Sequence, residues 1–246
     1  MKIVILRHAD PDYEHDSLTE KGFKEAKLLG DYFHQTFPNI KAFYVSQLGR
    51  AQRTFEAVKK YYPEVPVHHC DWLVEFRGKI HRPDQGGRLM TCWDLLPEDA
   101  QKNPMIYTSD WLNAPLLNEE GCTVRKYAME EIAEFDKILA IHGYVRNGLF
   151  YEVKESNHDV IVFCCHFGIG ALLASHLMHC SPYSLWEHTC LLPSSVTVFA
   201  SEERRQGIAH FRAYQYGSTA HLSLGGEEAS FSGRFAEMFT DSERHD

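Results

Sequence analysis

KIVILRHADP, residues 2–11, is the stretch on which the fold turns. Residues 2–6 read as a short strand buried on both faces, the kind that fills the middle of a parallel sheet. The apolar run then stops at Arg7 and His8, two side chains that water would accept anywhere on the surface. A second stretch repeats the arrangement. DVIVFCC, residues 159–165, is the strongest strand signal in the chain, and His166-Phe167-Gly168 follows at once. In open α/β sheets ligands bind beyond the carboxyl ends of the strands. Two histidines from distant parts of the chain, each ending a buried strand, therefore predict one site at one sheet edge.

Strands and helices alternate through the rest of the sequence. Thr19 reads as the N-cap of a helix running to about residue 36, with Ala26, Leu29, Tyr32 and Phe33 on its apolar face. Residues 42–45 (AFYV) suggest a strand, and residues 48–61 a helix ended by Pro63 and Pro66. An amphipathic helix over 119–142, a turn at Asn147-Gly148 and a helix over 169–179 follow. Residues 195–200 and 208–214 read as two strands, adjacent at the sheet's edge. The pattern predicts the α/β class: a three-layer α/β/α sandwich with a mostly parallel central sheet.

We expect a single domain over 1–225, interrupted by an irregular, partly helical insertion at about 76–121, and a polar, loosely ordered C-terminal tail over 226–246. Long segments of the insertion's kind often serve as lids or substrate walls. Its aromatics Trp93, Tyr107 and Trp111 suit either a substrate-facing wall or a satellite core.

Composition narrows the function. With 246 residues, 44% hydrophobic and 24% charged, the chain can bury a sizeable core. A formal net charge of -9 argues against general nucleic-acid binding. No apolar run reaches the ~18 residues of a membrane span. The apolar start at 3–6 is too short for a signal peptide and ends in charge, so a cytoplasmic protein is expected. The seven cysteines are odd in number and include no C-x-x-C pair, which suggests neither a disulfide framework nor a zinc ribbon. In an acidic chain an anion needs a pocket whose local arginines override the global sign.

Such an arginine stands in Ser46-Gln47-Leu48-Gly49-Arg50-Ala51-Gln52-Arg53-Thr54, which follows a strand and opens a helix. In a first helical turn, backbone N–H groups and the helix dipole already favour an anion. A guanidinium adds a planar fork for two phosphate oxygens. Taken singly, Arg7-His8 is an ordinary strand end, His166 an ordinary helix start and Arg50 a solvated helix arginine. Their joint placement at strand-to-helix junctions favours a phosphate site.

These residues carry a resemblance. The sequence resembles the histidine phosphatase superfamily, the phosphoglycerate mutase-like fold, in an ordered series of motifs: Arg7-His8-Ala9, Leu18-Thr19-Glu20-Lys21-Gly22, Ser46 to Thr54, Glu75 and His166-Phe167. The likeness spans residues 2 to about 222, including Ser218-Thr219-Ala220-His221-Leu222. It implies a phosphatase that hydrolyses phosphate monoesters through a phosphohistidine intermediate at His8. Arg7, Arg50 and His166, with the start of the helix at Phe167, would bind the phosphoryl group. Glu75 would protonate the leaving alkoxide and then activate water. No metal or cofactor is implied. The partner is a small-molecule phosphate ester, with no nucleic acid and no membrane, and a homodimer is compatible.

The sequence also departs from the family pattern. Ala9 replaces the usual glycine, which costs roughly 1 kcal/mol if that position needs φ > 0 and almost nothing otherwise. Phe167 stands where a small residue, or in one branch an acidic proton donor, is usual, so Glu75 is the best remaining acid. Glu75 could instead be a solvated loop glutamate, and Arg77 beside it is placed to pair with it or to touch substrate. The short loop between His8 and Leu18 favours a phosphatase over the alternative phosphoglycerate mutase-type phosphotransferase. Asp10, Asp12 and Glu14 within that loop would repel highly phosphorylated substrates if they face the pocket. A catalytically silent phospho-ligand binding module is the third reading; it would not need Glu75. His68-His69-Cys70-Asp71 is a poor metal site, because adjacent histidines in an extended segment point apart.

Overall fold

The computed structural model describes residues 1–232 and 238–241. In chain order the strands and helices are β1 (Lys2–Arg7), β2 (Pro11–Asp12), β3 (Ser17–Leu18), α1 (Glu20–Thr36), β4 (Ile40–Ser46), α2 (Gly49–Lys59) and β5 (Val67–Cys70). The insertion contributes β6 (Lys79–Arg82), β7 (Arg88–Thr91) and α3 (Pro97–Lys102). Then come α4 (Val124–Ile141), β8 (Tyr144–Asn147), β9 (Phe150–Val153), β10 (Val160–Cys165) and α5 (Phe167–Met178). The chain continues through α6 (Pro182–Trp186), β11 (Val196–Arg205), β12 (Ile208–Ser218) and α7 (Ala220–Leu224).

Eight strands form the central sheet, in the order β5-β4-β10-β1-β11-β12-β9-β8. The β5-β4-β10-β1 half is parallel, and every pairing from β1 to β8 is antiparallel. The side-chain alternation of a strand then divides the core in two. Ile3, Ile5, Ile161, Phe163 and Cys165 face the layer that holds α4, α5 and α6. Val4, Leu6, Val162 and Cys164 face the layer that holds α1 and α2, packing on Leu29, Phe33, Phe55 and Val58. β1 and β10 read as unbroken apolar runs because both their faces are covered. The three-layer α/β/α arrangement follows.

The differences from the sequence reading lie on the periphery. β5 was not foreseen, because an edge strand reading Val-His-His-Cys lacks an apolar run. β12 is not at the edge: the β8–β9 hairpin, closed over the Asn147-Gly148 turn with Gly148 at φ 59, pairs outside it. The insertion contains the β6–β7 hairpin and joins the main core through Ile80, Cys92, Leu95, Ile106, Trp111 and Leu116. Trp111 is therefore a core residue, set edge-on against Tyr183, and Tyr107 packs on His188.

Two contacts tie the chain after α7 to the loop and helix that follow β1. Lys21 Nζ pairs with Glu227, and the buried Ser230 hydroxyl donates to Asp10. Of the expected tail, 233–237 and 242–246 lie outside the described residues.

Thr19 caps α1 as expected, its hydroxyl oxygen accepting from the Gly22 N–H at 3.0 Å and its proton going to Asp10 Oδ2 at 2.6 Å. Gly22 has no alternative, since a Cβ there would collide with the Asp10 carbonyl. The Leu18-to-Gly22 motif thus locks the start of α1 onto the loop that follows β1.

Candidate active site

Parallel pairing brings the two histidines together. Arg7 stands opposite Cys165 in the β1–β10 register, so the next residues, His8 and His166, leave the sheet side by side. Their rings lie 5.0 Å apart, centroid to centroid, at an interplanar angle of 57°. Both are about 1% exposed. Burial first, and the cation of Arg7 next, hold His8 well below the usual histidine pKa. Burial, the neighbouring His8 and both arginines do the same to His166. Both rings are therefore neutral at physiological pH.

Hydrogen bonds fix which nitrogen carries the proton. His8 Nδ1 is 2.8 Å from the Ala9 carbonyl. A carbonyl only accepts, so Nδ1 is the protonated nitrogen and Nε2 keeps its lone pair. The Ser46 hydroxyl oxygen accepts from the Leu48 N–H at 3.3 Å and lies 2.8 Å from His166 Nε2. This bond sets the orientation of the His166 ring, and His166 Nδ1 is buried and has no partner.

The arginines complete the ring. Arg7 is 5% exposed and donates through Nη1 to the Leu191 carbonyl. Arg50, in the first turn of α2, donates through Nη1 to Asp16 Oδ1 at 2.8 Å. Burial works to raise the Asp16 pKa, but the bonds from Gly49 N–H and Arg50 outweigh it and keep the carboxylate ionised. Arg7 Nε and Arg50 Nε are both buried without a partner. Two guanidinium N–H donors, on Arg7 and Arg50, and one imidazole nitrogen, on His166, are thus left without partners. Buried donors are rarely left so unless something is meant to bind them.

Glu75 joins this group through α5. Its Oε1 accepts from Gly168 N–H at 2.8 Å, Ile169 N–H at 3.3 Å and Phe76 N–H at 2.9 Å. The carboxylate therefore caps the N-terminus of the helix that begins one residue after His166. Burial pushes the Glu75 pKa up, more than these N–H groups and Arg7 pull it down. The loop-glutamate alternative does not hold, since this side chain is bonded into the site. Arg77 points elsewhere: it stacks over Tyr127 at 4.5 Å and lies 3.6 Å from Glu131.

Gly168 makes this arrangement possible. A Cβ there would sit 2.5 Å from the Trp93 ring and 2.9 Å from Glu75 Oε1. Gly168→Ala is expected to cost about 1–3 kcal/mol of stability through overpacking. If Glu75 is the proton donor, its displacement should also lower turnover by at least tenfold. Chemical denaturation and steady-state kinetics read the two effects separately.

The structure places both departures from the family pattern. Ala9 keeps a negative φ, so its methyl adds no backbone strain, and its N–H donates to Thr54 Oγ1 at 2.9 Å. The Phe167 ring lies 5.7 Å from the Arg7 guanidinium carbon, as a side wall. In the acidic loop the condition for repulsion is not met by Asp10 or Asp12. Asp10 turns to Thr19 and Ser230, and Asp12 pairs with His15, while Asp16, which was not singled out, grips Arg50.

Other residues went unforeseen. The Ser194 N–H donates to the His8 carbonyl at 2.9 Å, and its hydroxyl lies 3.0 Å from Nε2 of the buried His221. Burial lowers the His221 pKa to about 4. The positive φ of Ser194, 59°, hints at nothing in the sequence.

His68 and His69 diverge as expected for a strand: His68 stacks on Tyr44, and His69 meets Gln52. Ligand atoms of His81, Glu119 and Cys122 do lie within 4.8 Å of one another. Yet both ring nitrogens of His81 face carbonyls, of Gly87 and Glu120, each at 2.8 Å. Neither is directed at a shared metal position.

Comparison with known proteins agrees with this geometry. Residues 3–82 match the family model of the histidine phosphatase superfamily (branch 1). A mycobacterial glucosyl-3-phosphoglycerate phosphatase, solved with VO3, superposes with a TM-score of 0.54 at 18% identity, over 87% of this chain and 98% of its own. The chain has the histidine phosphatase fold. A phosphoserine phosphatase of Entamoeba histolytica, in complex with phosphoserine, gives 0.54 at 17% identity over 90% and 98%. YhfR of Bacillus stearothermophilus gives 0.53 at 18% over 90% and 98%. No curated protein matches by sequence. Within this histidine phosphatase fold the matched segment carries Arg7, His8, Arg50 and Glu75, and β10 supplies His166 from beyond it. No described helix is long and apolar enough to cross a membrane.

Proposed function

We propose that the chain is a phosphatase that hydrolyses phosphate monoesters through a phosphohistidine on His8 Nε2, without a metal. The observation that carries this reading is the set of buried nitrogens without partners on Arg7, Arg50 and His166, beside the His8 ring whose Nε2 lone pair is held free. These groups, with the other N–H groups of the two guanidiniums, would bind the equatorial oxygens and stabilise their charge. His8 Nε2 attacks phosphorus in line, and the bond to the ester oxygen breaks. Glu75 gives that oxygen its proton and so becomes a carboxylate. It then takes a proton from water as the water attacks the phosphohistidine, releasing phosphate and restoring both side chains. Arg7, Arg50 and His166 supply the stabilising interactions for which other phosphoryl-transfer sites use a cation. Burial beside Arg7, which raises the Glu75 pKa and so suits a proton donor, favours turnover over a silent phospho-ligand module.

On this reading residues 1–225 work as one domain whose insertion, 76–121, brings Trp93 to the leaving-group side. The test is phosphate release from a panel of esters in the presence of a chelator. Release from at least one class, unchanged by chelation, is expected. No release from any ester, or release only on adding a divalent metal, would end the proposal.

A further inference from the structure

Beyond the phosphoryl pocket, the walls that receive the rest of the substrate are aromatic. Tyr13 comes from the loop between β2 and β3 and lays its ring over Arg50, 5.4 Å from the guanidinium carbon. It remains 67% exposed, so its outer face is open to a ligand held by Arg50. Across the site stands Trp93, held by Phe76, Phe167 and Trp186, with ring centroids 5.8–6.4 Å away. The Gly168 position shows where this indole points: one Cβ there would touch both the ring and Glu75 Oε1. The Trp93 ring and Glu75 Oε1 therefore border the same point, the bare Cα of Gly168 at the start of α5. Phe167, beside Arg7, closes the wall between them.

What the wall lacks matters equally. Arg77, two residues from Glu75 and the nearest cation to it in sequence, is committed to Tyr127 and Glu131 on α4. A leaving group with its own carboxylate gains nothing from it.

We propose, resting on the phosphatase reading above, that the site takes monophosphate esters of phenols and other planar aromatic alcohols, with the ring received by Tyr13 and Trp93 and the ester oxygen at Glu75. An aromatic face suits the offset and edge-on contacts these side chains offer. Covering Tyr13 also removes apolar surface from water. Such an ester exists both as a small molecule and as phosphotyrosine within a peptide.

Phenols are good leaving groups, so rates alone would mislead. Binding is therefore measured by calorimetry in the non-hydrolysing His8→Ala protein. Phenyl phosphate is expected to bind at least tenfold tighter than phosphoserine. Adding Tyr13→Leu, an exposed position whose replacement spares the fold, should weaken phenyl phosphate at least fivefold and narrow that preference. Trp93→Phe, which retains an aromatic ring in the packed wall, should weaken it less. A phosphotyrosyl peptide that binds as tightly as phenyl phosphate assigns the substrate to proteins, and one that binds far more weakly assigns it to small molecules; either supports the aromatic assignment. Phosphoserine binding as tightly as phenyl phosphate, or a preference untouched by Tyr13→Leu, overturns the proposal. Failure to bind even inorganic phosphate would instead strike the phosphatase reading on which it rests.

Discussion

Replacing His8 with alanine is expected to lower phosphate release by at least about four orders of magnitude, the scale on which loss of a covalent nucleophile is felt. The ring is buried, neutral and oriented by a single bond from Nδ1 to its neighbour's carbonyl, so no other atom can take over the attack. The His166 ring is 5.0 Å away, and its Nε2 is tied to Ser46. The change deletes a side chain without touching Arg7, Arg50 or His166. Phosphate affinity should therefore survive while kcat collapses. Labelled ester followed by an alkaline quench, which preserves acid-labile phosphoramidates, should leave label on the wild-type protein and none on the variant. Turnover within tenfold of wild type, or label persisting on the variant, would show that His8 is not the nucleophile.

How much of this arrangement could be read from the sequence follows from where each interaction is encoded. The strands β1 and β10 were legible because burial on both faces leaves an unbroken apolar run, and the charged residues that end them then stand out. Arg50 was legible from its place in a first helical turn. The site's supports were not. Asp16 reaches Arg50 across 34 residues, and Ser194 reaches the His8 carbonyl from the far side of the chain. Neither has any local pattern, because each acts through one atom at a distance. Ser46 and Thr54 were quoted as parts of a motif, yet only the geometry explains them: one orients His166 and the other anchors the Ala9 N–H. Trp93 looked like any aromatic in an irregular stretch until the missing side chain of Gly168 showed what it packs against. The edge strands failed for a related reason. β5 has no fully buried residue, and β8 and β9 bury one each, Tyr144 and Tyr151, so neither shows an apolar run or a repeated alternation.

Glu75→Gln should reduce kcat by about 10²–10⁴-fold, the usual worth of a positioned acid–base group. The amide is close in shape, and its carbonyl oxygen can still accept from the N–H groups of Phe76, Gly168 and Ile169. The cap on α5 is therefore kept, and the loss is one of proton transfer rather than of structure. Two dependences should separate these causes. Poor leaving groups, such as alkoxides, need the proton most and should slow far more than phenolates. The pH profile gives the second. The first step requires Glu75 protonated, and burial raises its pKa, so kcat in the wild type should hold above the ordinary carboxylate range and fall only as pH rises through that raised value. The acid side depends on neutral His8, whose depressed pKa moves that limb to lower pH. In the glutamine variant the alkaline limb set by Glu75 should vanish and the acid limb remain. An equal loss for all leaving groups, with both limbs retained, would mean that Glu75 holds α5 in place and that the proton comes from another group.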